Sequence, residues 1–379
     1  MIDQKKSLKT DLNLFLFTIA TLIVIGLVFI YSSSSVFALE KFGSAHYFVK
    51  KQVFGVILGL IAMGLAFIFP IKLIKKMVPL IFWGSLSLTA LTLIKGFSQR
   101  IHGSSRWVKL FGFSFQPSEI LKLAVIIYLA YFIAKKKDKL GSFVNAYLPV
   151  LIILGATSLI LLKQPDFGLT VTLTATTFIL LFIAQFNPKH LFFTALAAIP
   201  AVISLVYLKP YRLKRILTFL NPWQDPKGAG FQIIQSLIAI GSGSLWGVGI
   251  SHSKQKFFYL PMQHTDFIFS IIAEEAGFLG SLCIITLFVS FAYFGMRLSW
   301  QLKDPFYRFT VLGFVILISL QAIINLAVTT GLVPTKGIGL PFVSYGNTSL
   351  VCSLCMVGLI INIVYTSLND EPRKKLLAI

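Results

Sequence analysis

The sequence predicts an all-α, polytopic integral membrane protein with about ten transmembrane helices and one long extracytoplasmic loop. Three observations predict it. The 379-residue chain is 56% hydrophobic and only 12% charged, with a mean hydropathy of +0.84, whereas a soluble domain carries about 25% charged residues. Its apolar runs are long enough to cross about 30 Å of hydrocarbon. Its three cysteines, Cys283, Cys352 and Cys355, all lie inside such runs, so no extracellular disulfide framework is implied. Cys352 and Cys355 read as small apolar packing within a span.

Ten spans follow in order, at roughly 12–37, 49–69, 74–94, 117–134, 146–162, 168–185, 191–208, 267–296, 309–331 and 347–366. The first follows a basic tail, Lys5 to Lys9. Its apolar core of about 20 residues exceeds a signal-peptide core, so it reads as a retained anchor. No soluble domain is expected on either side, and residues 1–379 read as one membrane domain. With both termini inside, 17 Lys and Arg fall on the cytoplasmic side against nine in the short outer loops. Seven more occupy the long outer loop, about 209–266, and long loops weigh little in orientation. An outer face this basic points to an anionic partner at the membrane surface. Attraction to lipid headgroups is the plain alternative. Nucleic acid is not among the expected partners.

Ionisable groups at membrane depth are costly and mark function. Asp266 stands where a polar loop, KQKFFYLPMQHTD, runs into an apolar helix. Glu274 and Glu275 follow about 12 Å deeper along that helix. Glu274 lies about 80° and Glu275 about 180° around the helix from Asp266. Glu274 could line the same cavity deeper and Glu275 suits another helix or backbone, with a structural role the stronger reading for both. In the loop before span 4, GSSRW leads to QPSEILK. Pro117 suits a first helical turn, and Glu119 and Lys122 then share one face. They are either a self-neutralising pair or a pair that orients a reacting group. Arg106 and Trp107 read equally as an interfacial anchor. In QPDFG, Asp166 can simply cap span 6. In KPYRLKR, Arg212 and Arg215 are three apart, suited to a membrane surface or to a diphosphate. Phe231–Ile240 is apolar but too short to span. The glycine-rich GSGSLWGVG after it can bring backbone close to a ligand. Residues 331–349 form an irregular stretch of Gly and Pro, tolerated at this depth only against water or protein.

GSSRW, QPSEILK, QPDFG, KQKFFYLPMQHTDFIFSIIAEEAGFLG and GLVPTKGIGLPFVSYGNTS occur in the order found in the SEDS family (shape, elongation, division, sporulation). The resemblance covers nearly the whole chain, and SKQKFFYLP and GFQIIQS lie nearest its FtsW branch. Asn347 departs from the family, which usually has a second glycine there; Asn tolerates left-handed backbone, so the loop shape is expected to survive. The resemblance implies a peptidoglycan glycosyltransferase acting on lipid II, with Asp266 as catalytic base. It implies that Arg106, Lys122, Arg212 and Arg215 bind diphosphate and that Glu119 orients Lys122. It extends the substrate-binding set to Asp166, Lys254, His264 and Ser344. It further implies dependence on a divalent cation, Mg or Mn, with no fixed site in the sequence. The implied partners are a class B penicillin-binding protein transpeptidase and other divisome or elongasome membrane proteins, and the implied location is the bacterial cytoplasmic membrane. A lipid II flippase would use the same ligand, but Asp266 near the outer boundary favours surface chemistry over alternating access. A small-solute transporter is disfavoured because no half-sequence repeats.

Overall fold

The computed structural model describes residues 2–94, 97–101, 104–110, 113–207, 210–228, 230–257, 260–335 and 337–376. Twelve helices are present among them. They are α1 (Ile2–Phe42), α2 (Tyr47–Ile68), α3 (Ile71–Leu91), α4 (Pro117–Lys135), α5 (Leu148–Lys163), α6 (Phe167–Ile183), α7 (Pro188–Tyr207), α8 (Pro210–Leu220), α9 (Phe231–Ser242), α10 (Ile268–Gln301), α11 (Pro305–Thr329) and α12 (Asn347–Leu376). Each of the ten expected spans is a helix. Eight of the described helices are long and apolar enough to cross a membrane. Of the other two, α6 has 17 residues and α7 has 20. The chain is therefore an all-α multi-pass membrane protein.

The bundle packs through both distant and consecutive helices. α2 lies along α12, α1 along α10, and α11 between α10 and α4. Small residues permit the closest approach: Gly55 and Gly59 of α2 face Asn347 and Leu354 of α12, and Gly358 meets the Met63 backbone. The core runs from Phe15, Leu22 and Ile30 of α1 to Ile126 and Leu129 of α4 and Phe314 of α11, all buried. In α6 the hydroxyls of Thr170, Thr172, Thr176 and Thr177 each donate to the carbonyl four residues back, at 2.7–2.8 Å. That satisfies four polar groups without a partner helix. Asp304 caps α11 by accepting from Phe306 N at 2.7 Å and Tyr307 N at 3.3 Å.

Two segments differ from expectation. The loop before α4 is a three-stranded antiparallel meander, β1 (Gln99–Ile101), β2 (Ser104–Leu110) and β3 (Phe113–Phe115). Its strands are too short for a period-2 pattern to stand out from the surrounding apolar sequence. The glycine-rich segment after α9 approaches a protein element and not a ligand space. Its Val248 and Gly249 N–H groups donate to the Glu274 and Glu275 carbonyls, both at 3.0 Å. The Phe278 and Leu279 N–H groups donate back to Ser244 and Leu245, at 2.9 and 3.3 Å. The crossing is possible because α10 is broken at Gly277 (φ 68°, ψ −161°) and because Gly247 and Gly277 meet backbone where a Cβ would stand.

Candidate active site

Four loops converge beside the α4 N-terminus. The QPD turn is held first. Gln164 donates its Nε2 to Thr89 O at 3.0 Å and to Thr92 Oγ1, which fastens the turn to the end of α3. Asp166 then caps α6, its Oδ1 accepting from Leu169 N at 3.2 Å. Its other oxygen faces inward, accepting from Gln116 Nε2 at 3.3 Å and lying 3.5 Å from Arg106 Nη1. One carboxylate thus caps α6 and holds Gln116 and Arg106. Burial pushes the Asp166 carboxyl above its ordinary range, against the opposing pull of Arg106 and the Leu169 N–H.

Arg106, on β2, is no surface anchor. Its Nε donates to Gln164 O at 3.0 Å, and its Nη2 to Pro165 O. Below it, Lys122 is fully buried and pairs with Glu119 at 2.6 Å, with Gln321 of α11 at 3.5 Å on its far side. Pro117 starts α4, which sets Glu119 and Lys122 three apart on the face turned to this cluster.

Asp266 lies in the turn two residues before α10 and is partly open. Its backbone carbonyl accepts from Asn325 Nδ2 at 2.8 Å, and the same amide holds Ile338 O at 2.7 Å. One side chain of α11 therefore fixes the Asp266 turn and the glycine–proline loop over it. Gly337 of that loop passes so close that its Cβ position lies 3.4 Å from Asp266 Oδ2. Burial raises the Asp266 carboxyl from 3.8 to about 6, with Arg215 and Arg106 pulling it down. Arg106 thus acts on both Asp166 and Asp266. Arg215, on α8, anchors through Nη1 to Thr335 O at 3.1 Å, on the same covering loop.

The remaining expected residues divide. Ser344 is committed to the loop: its hydroxyl donates to Thr265 O at 2.6 Å and accepts from Leu340 N at 2.7 Å. His264 packs its ring against Phe48 at 4.3 Å and Tyr345 at 5.7 Å. Burial there lowers its pKa to about 4, so it is neutral. The Ser344 hydroxyl is thus taken up within the loop, whereas the His264 ring packs on aromatics and its Nδ1 has no hydrogen-bond partner. Lys254 stands apart, its backbone N–H bound by Glu274 Oε1 at 2.9 Å and its side chain exposed. The Arg212 side chain lies outside the described residues. Asn347 does not use left-handed backbone but begins α12; the positive φ values of that loop belong to Gly331, at 73°, and Phe342, at 64°. Asn325, Gln321, Gln116 and Gln164 were not singled out from sequence. The signal was present, since Gln321 and Asn325 are polar residues one turn apart inside an apolar span.

Among the described residues no three His, Cys, Asp or Glu side chains converge. Asp166 is already spent on Arg106, Gln116 and the α6 cap. These residues do not build a divalent-cation site of their own.

The cell cycle protein family FtsW/RodA/SpoVE matches residues 12–369. The chain belongs to this family. It is 44% identical over 338 residues to the "Probable peptidoglycan glycosyltransferase FtsW" of Geobacter sp. (strain M18), covering 89% of this chain and 92% of that one. It is 40% identical over 358 residues to stage V sporulation protein E of Bacillus subtilis (strain 168), covering 94% and 98%. Its fold matches a chain solved in a study of coordinated polymerization and crosslinking by a peptidoglycan synthase complex, with TM-score 0.79, 28% identity, and 94% and 98% of the two chains covered. The rod shape determining protein RodA of Thermus thermophilus shares the fold at TM-score 0.69 and 24% identity, over 94% and 97% of the two chains.

Proposed function

We propose that this FtsW/RodA/SpoVE member is a peptidoglycan glycosyltransferase that polymerises lipid II at the outer face of the bacterial cytoplasmic membrane. The observation that carries the reading is Asp266: a partly open carboxylate pinned through its own carbonyl, raised by burial to about 6 and drawn down by the charges of Arg215 and Arg106. A base with that pKa is mostly ionised at neutral pH yet still basic enough to accept a proton, which is the useful range for general-base catalysis. In the reaction, the acceptor 4-hydroxyl attacks the donor anomeric carbon and its proton passes to Asp266. The new C–O bond forms as the bond to diphosphate breaks, and the electron pair leaves with the lipid diphosphate. Arg106 and Arg215, already near Asp266, are the groups that meet the growing diphosphate charge. Lys122, held by Glu119, adds positive charge from below.

Asp266→Asn tests the reading. The amide is nearly isosteric but cannot take the proton, so polymer from labelled lipid II should fall by about 10²–10⁴-fold. Near wild-type polymer from the folded variant would refute it, and transbilayer movement of label without polymer would favour a flippase. The reaction side follows from the charge bias, which puts both termini inside and residues 209–266 outside. A single cysteine at Lys227, in a background lacking Cys283, Cys352 and Cys355, should react with an impermeant reagent in intact spheroplasts. Labelling only after lysis would reverse the topology. The long outer loop has two Ser-x-x-Lys spacings, Ser251–Lys254 and Ser253–Lys256. Ser253 Oγ donates to Glu274, and Lys256 pairs with Glu275 and Ser251 O. Neither spacing therefore offers an activated serine of the cross-linking type, and cross-linking falls to a separate class B transpeptidase. The likeness to a chain of a peptidoglycan synthase complex supports such a partner.

A further inference from the structure

Glu274 and Glu275 are buried in the first half of α10 and take no part in the cluster around Asp266. They receive the chain that leads to it. Glu274 Oε1 accepts from Lys254 N at 2.9 Å and its Oε2 from Ser253 Oγ. Glu275 accepts from Ser253 N at 3.3 Å and from Ser32 Oγ of α1 at 2.6 Å, and it lies 3.5 Å from Lys256 Nζ. Lys256 is itself buried, with its Nζ on Ser251 O and its N–H on Ser253 Oγ at 3.2 Å. The same two glutamates also hold Val248 and Gly249 through their backbone carbonyls. Two consecutive residues thus grip the incoming chain twice, with main chain at 248–249 and with carboxylates at 253–254.

We propose that Glu274 and Glu275, paired with Lys256, are positioning residues that set the register of the loop reaching Asp266. The proposal rests on Asp266 being the base. From the grip to Asp266 the chain has no regular secondary structure among its described residues, so its placement depends on fixed points. Beyond the grip these are Gln263 Nε2 on Ser33 O at 2.7 Å and the carbonyls of His264, Thr265 and Asp266 held by Tyr345 N, Ser344 and Asn325. The grip is the fixed point that ties the start of this segment to α10. Buried charges are costly to keep, and here the anions take up loop donors that would otherwise be orphaned at membrane depth. A base displaced by about 1 Å loses about 10²-fold in rate, while the cations that bind diphosphate stand on other elements.

The test uses the purified full chain with labelled lipid II and three variants: Glu274→Ala, Glu274→Gln, and Glu275→Gln combined with Lys256→Met. Glu274→Ala should lower kcat by about 10–100-fold with KM within about twofold. Glu274→Gln, which still accepts from Lys254 N, should recover most of the loss. The neutralised Glu275–Lys256 pair leaves no buried lone charge, so it should fold, yet it should still lower kcat more than KM. Amide exchange at residues 253–257 should speed up in Glu274→Ala while α11 keeps its protection. Unchanged kcat in Glu274→Ala would overturn the proposal, as would equal losses in the Ala and Gln variants that track the folded fraction. If Asp266→Asn keeps activity, the Asp266 reading fails on its own. The exchange arm still judges the grip, since unchanged protection at 253–257 would refute it independently.

Discussion

Asn325→Leu removes a single amide that ties two parts of the site together. Leucine fills similar space in the apolar α11 but cannot donate. Two carbonyls, Asp266 O and Ile338 O, lose donors now at 2.8 and 2.7 Å. A buried acceptor stripped of its partner costs about 1–3 kcal/mol, so two cost about 2–6 kcal/mol. The gain from removing Asn325 Oδ1, which is buried without a hydrogen-bond partner, offsets part of that. The penalty falls locally, because the Asp266 turn and the loop carrying Gly337 are the segments released. A shift of about 1 Å in the base costs about 10²-fold in rate, so the activity loss should exceed what the stability loss explains. The assay pairs polymerisation of labelled lipid II with thermal unfolding in the same detergent. A variant that unfolds a few degrees lower yet polymerises at the wild-type rate would refute the argument that Asn325 places Asp266.

Other outcomes follow from the same geometry. Because Asp266 titrates near 6, kcat/KM should fall about tenfold per pH unit below that value. Its folded pKa lies above the ordinary 3.8, so its contribution to stability is present below pH 4 and lost as the pH rises through 6. Asp266→Asn should therefore melt higher than wild type above pH 6, and the difference should vanish near pH 4. His264 has the opposite sign: its folded pKa near 4 lies below 6.5, so stability held above pH 6.5 is lost as the pH falls through 4. His264→Phe, packed among the same rings, should flatten that acid limb in a melting series. Gly277→Ala places a Cβ against Gly247 at a backbone conformation L side chains rarely adopt. It should lower the melting temperature and expose residues 244–249 to faster amide exchange, at a cost of about 1–3 kcal/mol from strain alone.

The sequence by itself determined the membrane class, the positions of all ten spans and the pairing of Glu119 with Lys122. Those depend on local quantities: run length, loop charge and a spacing of three on a helix. It also singled out Asp266 as a candidate, because a carboxylate at the end of an apolar run is costly wherever the chain later folds. It did not determine what the other polar residues face. The fold alone sets the Ser344 hydroxyl on Thr265 O and the His264 ring against Phe48 and Tyr345. The glycine segment 241–249 looked like a ligand cradle until the break at Gly277 showed that its closest approach is to α10. Asn325 holds Asp266 from 59 residues away. Such pairings join distant parts of the chain, and no periodicity records them. Only the packing of α11 between α4 and α10 decides that the amide of Asn325 meets the carbonyl of Asp266.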